Sequence, residues 1–229
     1  MIFNEIIRFI FSTIENVSIV ILSLALFRIP IKYSGRMVLI ISIVLSIVSL
    51  FQRDFLHLHE FVTITLMIAY VILFKFIFNV PIFYALLVSI TGYLIYGVIQ
   101  TVFLLIGTVT DLTSIHLLES SLLHGSMIQI ISASATILLT VWMQRKKIGF
   151  MFVINRLTIK HMFSSFNLIL SFIILLALIT VHIAIVSFNE NIPSFFTLIG
   201  LTLVLIIGLA ITYNKNKSDI KEKYERLNK

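Results

Sequence analysis

Apolar residues occur along this chain in long runs that are interrupted by short polar segments. Seven of these runs approach the roughly 20 residues that a helix needs to cross a hydrocarbon core about 30 Å thick. The pattern therefore predicts an all-α fold, a polytopic transmembrane helical bundle of about seven helices. The predicted spans are residues 9–27, 37–52, 61–78, 82–110, 126–143, 166–188 and 194–213.

Three segments depart from a simple span. The first carries Glu15 and Asn16, so a bundle of six spans, with the first helix lying in the membrane interface, is the alternative. The fourth, residues 82–110, is longer than a bilayer requires, which predicts tilt or protrusion. The segment near 148–165 mixes apolar with polar and basic residues, and it predicts an amphipathic helix on the inner membrane surface.

The composition supports a membrane protein. Of 229 residues, 59% are hydrophobic and 12% are charged, whereas a soluble domain is closer to half apolar and a quarter charged. Residues 1–213 are assigned to the bundle and residues 214–229 to a basic cytoplasmic helical tail. The absence of cysteine excludes disulfides, thiolate metal sites and cysteine nucleophiles. Together with the short loops, it favours a bacterial plasma membrane.

The basic residues predict the orientation through the positive-inside rule. With the N-terminus outside and the C-terminus in the cytoplasm, fifteen of the seventeen Lys and Arg residues fall on the inner side. Arg8 and Arg53 are the two that fall outside. Orientation and anionic lipid then explain the net charge of +7, so the lipid bilayer is the expected partner and nucleic acid is not.

Polar side chains within the spans are candidates for a binding site, because a carboxylate deep in a bilayer costs about 2.5–3.5 kcal/mol on insertion scales. Glu15 is predicted in the outer third of the first helix, and other polar residues fall in the outer halves of their spans. They predict a ligand-binding cavity open to the outside. The alternative for Glu15 is an interfacial position, where it snorkels or pairs with Arg8. The candidate ligand-binding residues are Glu15, Tyr93, Tyr96, Gln100, Gln129 and His182.

Catalytic motifs are missing from the sequence. There is no H-E-x-x-H, no G-x-S-x-G and no Walker lysine loop. Five of the six histidines fall near the outer face. They are interpreted as polar residues at the headgroup level, with pH sensing or metal binding as the alternative. We therefore expect a protein that is not an enzyme and that has no cofactor, catalytic residue or metal site.

The charged tail continues the seventh predicted span. Ile220, Tyr224 and Leu227 are spaced i, i+4 and i+7, which matches the core positions of a heptad. The tail predicts either a short dimeric signalling coil or a solvated helix end that anchors the topology.

The layout of the chain resembles a known family. A proline-containing turn leads into FYALL at 83–87 and GYL at 92–94, and a charged helix leaves the last span. These features, with the short-looped helices, are similar to the membrane-spanning sensor region of accessory-gene-regulator-type peptide-sensing histidine kinases, whose kinase domains belong to the GHKL class. The resemblance covers nearly the whole chain and implies a dimer that binds an extracellular peptide and signals through its exit helix. Neither a phospho-acceptor helix nor an ATP-binding domain is present, so it implies a sensor without the kinase.

The sequence thus predicts a non-enzymatic membrane sensor or regulatory protein. It is expected to bind an extracellular peptide or a small amphipathic ligand, as a homodimer or with a membrane or cytoplasmic signalling partner. The alternative is the substrate-binding membrane component of a transporter that works with a separate ATPase. The size, high hydrophobicity and short loops of the chain suit that alternative as well.

Overall fold

The computed structural model describes residues 2–56, 61–110, 112 and 122–149, together with nine separate positions between 199 and 225. All regular structure in these residues is helical, which confirms the all-α prediction for the part described. A π-helical turn, Phe51–Phe55, extends the second helix. The five helices are α1 (Ile2–Leu26), α2 (Ile31–Leu50), α3 (Val62–Phe78), α4 (Ile82–Val109) and α5 (Leu122–Arg145).

Among the described residues, four segments are long and apolar enough to cross a membrane. They are Glu5–Leu26, Ser34–Arg53, Ile82–Val109 and Gly125–Arg145. α3 is also apolar, but its 17 residues extend only about 25 Å, near the lower limit for a span. The first five predicted spans are therefore helices. The last two lie outside the described residues, apart from isolated positions from residue 199 onward.

Two helices begin six or more residues earlier than the hydrophobic pattern predicts. α1 begins at Ile2 rather than at residue 9, and α2 begins at Ile31, inside the predicted basic loop. Pro30 precedes α2 with φ −68°. Proline suits a helix start because its ring fixes φ and its missing N–H has no helical partner there. The Ser34 hydroxyl donates to the Pro30 carbonyl oxygen at 3.0 Å, so this polar segment is compatible with a first helical turn.

The five helices form a ring in chain order. α1 packs against α2, α2 against α3, α3 against α4, α4 against α5, and α5 against α1. α1 and α4 also pack against each other across the ring. The helices α1 to α4 therefore form one four-helix group, and α5 forms a second group with α1 and α4.

The bundle buries polar side chains and exposes large apolar ones. Buried polar residues include Asn16, Ser46 and Thr136. Small and polar residues at helix contacts, with apolar side chains outside, are typical of helices that pack within a membrane. On three helices the exposed apolar side chains recur every fourth residue, as one outward face requires. They are Ile6, Ile10 and Ile14 of α1, Leu39, Ile43 and Ile47 of α2, and Ile68, Ile72 and Phe76 of α3.

α1 and α5 finish at the same end of the bundle. The Arg28 guanidinium donates a hydrogen bond to the Lys147 carbonyl oxygen. Gly149 has φ +151°, and a β-carbon there would lie 2.8 Å from the Leu26 carbonyl oxygen, so the close approach requires glycine. α1 and α5 therefore run parallel. Gly149 belongs to the predicted inner-surface segment but is not helical, and the remainder of that segment, from residue 150, lies outside the described residues.

The turn between α3 and α4 lies at this end too. The rings of Phe27 and Tyr84 pack edge to face, with centroids 6.0 Å apart. Asn79 has the left-handed φ of 49° that ends many helices, and Pro81 precedes α4, which gives the tight turn that the sequence predicts. We call this end of the bundle the basic end. Among the side chains that the structure describes, its basic residues are Arg28, Arg36, Lys75, Arg145, Lys146 and Lys147.

Candidate functional site

A carboxyl group lies between α1 and α4. The Gln100 side-chain amide donates a hydrogen bond from Nε2 to Glu15 Oε1 at 3.4 Å. Strong hydrogen bonds from nitrogen to a carboxylate are about 2.7–2.9 Å long, so this one is weak. The Glu15 side chain is partly buried by the surrounding chain. The carboxyl group can therefore accept a further hydrogen bond.

Glu15 faces a polar stripe of α4. Ser89, Tyr93, Tyr96 and Gln100 are spaced by four, three and four residues, which places them on one side of the helix. Tyr96 is 2% exposed, and its hydroxyl lies beside the carboxyl group of Glu15 without a hydrogen bond of ordinary geometry. Tyr93 lies within electrostatic reach of the same group. One amide hydrogen bond and two nearby tyrosines of α4 thus face the carboxyl group.

A cation approaches Glu15 from the end of α2. Arg53 belongs to the π-helical turn Phe51–Phe55, and its guanidinium acts on the Glu15 carboxylate through space, without a direct ion pair. The neighbouring Gln52 is buried and donates from Nε2 to the Thr65 hydroxyl at 3.1 Å, which links the turn to α3. π-helical turns interrupt the regular helix and are frequent at functional sites. We define the Glu15 cluster as Glu15, Arg53, Tyr93, Tyr96 and Gln100.

Glu15 lies deeper in its helix than the sequence predicts. The part of α1 that is suited to span a membrane is Glu5–Leu26, and Glu15 is ten residues from its start and eleven from its end. Both distances are about 15–17 Å at 1.5 Å per residue, which is close to half of a hydrocarbon core. The predicted outer position assumed a span beginning at residue 9. The earlier start of α1 moves its midpoint to Glu15.

A second contact holds α1 and α4 in register. Gly92 faces Ser23, and these residues lie eight positions from Gln100 and Glu15 respectively, about 12 Å along each helix. The helices are therefore antiparallel and keep one register between the two contacts. The Ser23 hydroxyl donates to the Ile19 carbonyl oxygen at 2.9 Å, within its own helix. Because glycine lets the backbones approach closely, this contact positions Glu15 opposite Gln100.

The residue beside Glu15 connects α1 to α2. Asn16 is 4% exposed and donates from Nδ2 to the Ser46 hydroxyl at 3.0 Å. Ser46 in turn donates to the Ser42 carbonyl oxygen at 2.8 Å. Consecutive residues project about 100° apart on a helix, so Glu15 and Asn16 face different neighbours. The two polar residues that weaken the first predicted span thus make contacts with two different helices.

The remaining predicted site residues are not joined to this group. Gln129 is partly buried on α5, and no hydrogen bond connects it to Glu15. Since α1 and α5 are parallel and Arg28 meets Lys147, Gln129 is level with about residue 10 of α1, roughly 7 Å from Glu15 along the axis. His182 lies outside the described residues. The three predicted residues of α4 are therefore the ones that the structure brings to Glu15.

Arg53 is the residue of this group that the sequence does not predict as a site residue, because it lies between two predicted spans. A signal was present, since Arg53 and Arg8 are the two basic residues that the positive-inside rule does not explain. A basic residue that is predicted outside the inner side, together with a carboxyl group within a span, indicates charge pairing. The sequence does not show which of the two arginines approaches Glu15.

The chemistry of the Glu15 cluster favours a cationic or hydrogen-bonding partner. An ionised carboxylate accepts hydrogen bonds, and tyrosine rings attract ammonium and guanidinium groups through their faces. The Gln100 side chain points its amide nitrogen, and not its carbonyl oxygen, at the carboxyl group. It therefore supplies no oxygen ligand to a cation bound there. Among the residues that the structure describes, no group of three or more His, Cys, Asp or Glu is placed to hold a metal ion.

No protein-family model, no curated protein and no solved structure matches this chain. The resemblance to the sensor region of peptide-sensing histidine kinases therefore stays a prediction.

Proposed function

We propose that this protein is a non-enzymatic membrane sensor that binds its ligand at the Glu15 cluster. The observation that carries the proposal is the carboxyl group of Glu15, midway along a membrane-length helix with one long hydrogen bond from Gln100. A carboxylate at this depth costs about 2.5–3.5 kcal/mol on insertion scales. Because it weakens the insertion of α1 and gains little from its neighbours, a binding role accounts for it better than a structural one.

The proposed ligand is a peptide or a small amphipathic molecule that carries an amino or guanidinium group. Such a group satisfies the ionised Glu15 carboxylate through short, charge-assisted hydrogen bonds. The faces of Tyr93 and Tyr96 add cation–π attraction, worth about 0.5–2 kcal/mol depending on exposure. The apolar part of the ligand packs among the helices. A cationic ligand also replaces Arg53 as the positive charge nearest the carboxylate.

The proposed topology has seven spans in a bacterial plasma membrane, with the N-terminus outside and the C-terminus in the cytoplasm. The gathering of basic residues at one end of the bundle supports this orientation, since the positive-inside rule puts them on the cytoplasmic side. Arg53, at the end of α2 opposite the basic end, then lies on the outer side. The ligand reaches Glu15 from that side.

The proposed signal passes from the bundle to the cytoplasmic tail, residues 214–229, and from there to a second copy of the chain or to a signalling partner. A ligand shifts such an equilibrium only by its differential affinity for the two arrangements. We propose that the two arrangements differ at the contact between α1 and α4, because the ligand binds groups on both helices. The lack of catalytic motifs supports a signalling role over an enzymatic one.

Native mass spectrometry of protein purified in mild detergent from its own host tests this proposal. The wild-type protein is expected to retain a peptide or a small amphipathic molecule, and Glu15→Gln, which keeps the shape but removes the charge, is expected to lose it. Glu5→Gln is the matched control, because Glu5 is an exposed carboxylate on the same helix. A wild-type protein as empty as Glu15→Gln contradicts the proposal. A bound ATPase module overturns it in favour of the transporter alternative.

A further inference from the structure

We infer that Glu15 is also a proton-binding site whose occupancy regulates the proposed ligand site: the carboxyl group, the Tyr96 hydroxyl and Arg53 form a switch between an ionised and a neutral state. The inference takes its location from the proposed function and goes beyond it by naming the regulator. It is based on the hydrogen bonds and charges around one carboxyl group.

The donors around Glu15 suit a neutral carboxylic acid at least as well as a carboxylate. An ionised carboxylate has about four acceptor sites and is stabilised by several short hydrogen bonds. Here the described residues supply one of ordinary geometry, from Gln100 Nε2 at 3.4 Å. The Gln100 amide donates to Oε1 in either state, so the second carboxyl oxygen is free to gain and lose the proton.

The Tyr96 hydroxyl can serve both states of the carboxyl group. It lies beside Glu15, is buried and has no hydrogen bond of ordinary geometry. When Glu15 is ionised, the phenol turns its O–H toward the carboxylate and donates. When a proton from water binds the carboxylate, the new carboxylic O–H donates to the phenol oxygen instead. The proton comes from the solvent and returns to it, and no other bond is made or broken.

The ionisable groups that face Glu15 come from α4 and from the turn that extends α2. Arg53 approaches from the turn that extends α2, and Tyr93 and Tyr96 face it from α4. α5 contains no acidic, basic, histidine or tyrosine residue between positions 126 and 143. On α1 itself the described ionisable residues are Glu5 and Arg8, about 15 Å and 10 Å away along the axis. Arg53 is therefore the cation, among the described residues, whose charge acts on Glu15.

The turn that carries Arg53 is suited to respond. A π-helical turn holds an extra residue per turn and is less regular than an α-helix, so a change of register there costs less than within α2. In the ionised state the Glu15 carboxylate attracts the Arg53 guanidinium toward the interior. In the neutral state that attraction is lost, and a long basic side chain places its charge in water. Phe51–Phe55 and its link from Gln52 to Thr65 move with the proton.

Proton binding also sets when the proposed ligand binds. A cationic ligand pairs with the ionised carboxylate and gains little from a neutral acid. Protons and ligand therefore compete for Glu15. By linkage, acidification releases the ligand and ligand binding releases a proton.

Infrared spectroscopy of the protein in lipid nanodiscs tests the proton site directly, because a protonated carboxylic acid in an apolar setting has a carbonyl band separate from the amide bands. In the wild type this band is expected to grow as the pH is lowered, and Glu15→Gln is expected to remove that component. Glu5→Gln is expected to keep it. Arg53→Gln, which removes the cation that acts on Glu15, is expected to change the pH range over which the band appears, and an unchanged range excludes Arg53 from the switch. A wild-type band equal to that of Glu15→Gln at every pH overturns the inference.

The movement of the turn has its own measurement. The chain contains no cysteine, so Leu56→Cys, at a position that is 51% exposed beside the turn, carries a single spin label. The mobility of the label is expected to change over the same pH range as the infrared band, and to lose that change in Glu15→Gln. An unchanged mobility overturns the coupling to Arg53. A band that titrates in a protein that retains no ligand supports the proton site and contradicts the proposed receptor, so the two failures are distinguishable.

Discussion

Gly92 of α4 lies directly against Ser23 of α1, and a β-carbon on Gly92 would lie 1.8 Å from the Ser23 Oγ and 3.1 Å from the Ser23 Cα. The second distance involves backbone, so a side-chain rotation of Ser23 does not relieve the contact. The absence of one methyl group therefore sets how closely α1 and α4 approach. The same approach positions Glu15 opposite Gln100.

Gly92→Ala is expected to lower the free energy of unfolding by about 1–3 kcal/mol, because the added methyl group forces the two helices apart. Gly97→Ala is the matched control on the same helix, since a β-carbon there meets nothing within 4 Å. It is expected to be neutral or to stabilise by up to about 1 kcal/mol, as alanine does in a helix. Unfolding in mixed detergent micelles measures both values. Equal effects of the two substitutions contradict the close contact.

The hydrogen bond between Asn16 and Ser46 predicts an energetic coupling between α1 and α2. A double-mutant cycle of Asn16→Ala and Ser46→Ala is expected to give about 0.6 kcal/mol, the average for hydrogen bonds between membrane helices. Thr13→Ala is the control partner for Ser46→Ala, because the Thr13 hydroxyl donates to Phe9 in its own helix. That second cycle is expected to show coupling below about 0.3 kcal/mol. Equal coupling in the two cycles contradicts a specific contribution from the hydrogen bond between Asn16 and Ser46.

Glu15→Gln is expected to stabilise the protein. It replaces a carboxylate that has one long hydrogen bond by a neutral amide of the same shape, so the free energy of unfolding rises by about 1–3 kcal/mol. Glu5→Gln, at an exposed site, is expected to change stability by less than about 0.5 kcal/mol. A loss of stability in Glu15→Gln shows that the carboxylate is held by its neighbours more strongly than the geometry indicates.

The orientation has a direct test, again because the chain lacks cysteine. Leu56→Cys and Lys146→Cys place single thiols at exposed positions at opposite ends of the bundle. A maleimide that cannot cross the membrane is expected to label Leu56→Cys in intact cells and Lys146→Cys only after lysis. The reverse pattern contradicts the proposed topology, although it leaves the helix packing unchanged.

The hydrophobic runs by themselves determine that the chain forms membrane-length helices, because the apolar length needed to cross a bilayer is a one-dimensional property of the sequence. They predict the ends of α3, α4 and α5 to within a few residues, and they predict the turn at Asn79 and Pro81. They place the starts of α1 and α2 too late. Hydropathy reports apolar character and not backbone hydrogen bonding, so it misses the helical turn formed by the polar residues 31–36.

Part of the candidate site also follows from the sequence, since Tyr93, Tyr96 and Gln100 share one face of a predicted helix. That this face meets Glu15 is a property of the ring of helices, in which α1 contacts α4 as well as its neighbours in the chain. Such a contact between distant segments has no periodic signal in either segment. By the same reasoning the sequence predicts Gln129 as a site residue, but the structure places that residue apart from Glu15.

The sequence alone determined the residue types available for a site: carboxyl, phenol and amide groups inside a membrane-length bundle without cysteine. The tertiary structure decided which of them meet, that Arg53 joins them, and that Glu15 lies midway through α1. The physical reason is that side-chain direction repeats with the helix and is encoded locally. The rotation and depth of one helix against another are set by close contacts such as Gly92 with Ser23, which only the folded bundle brings together.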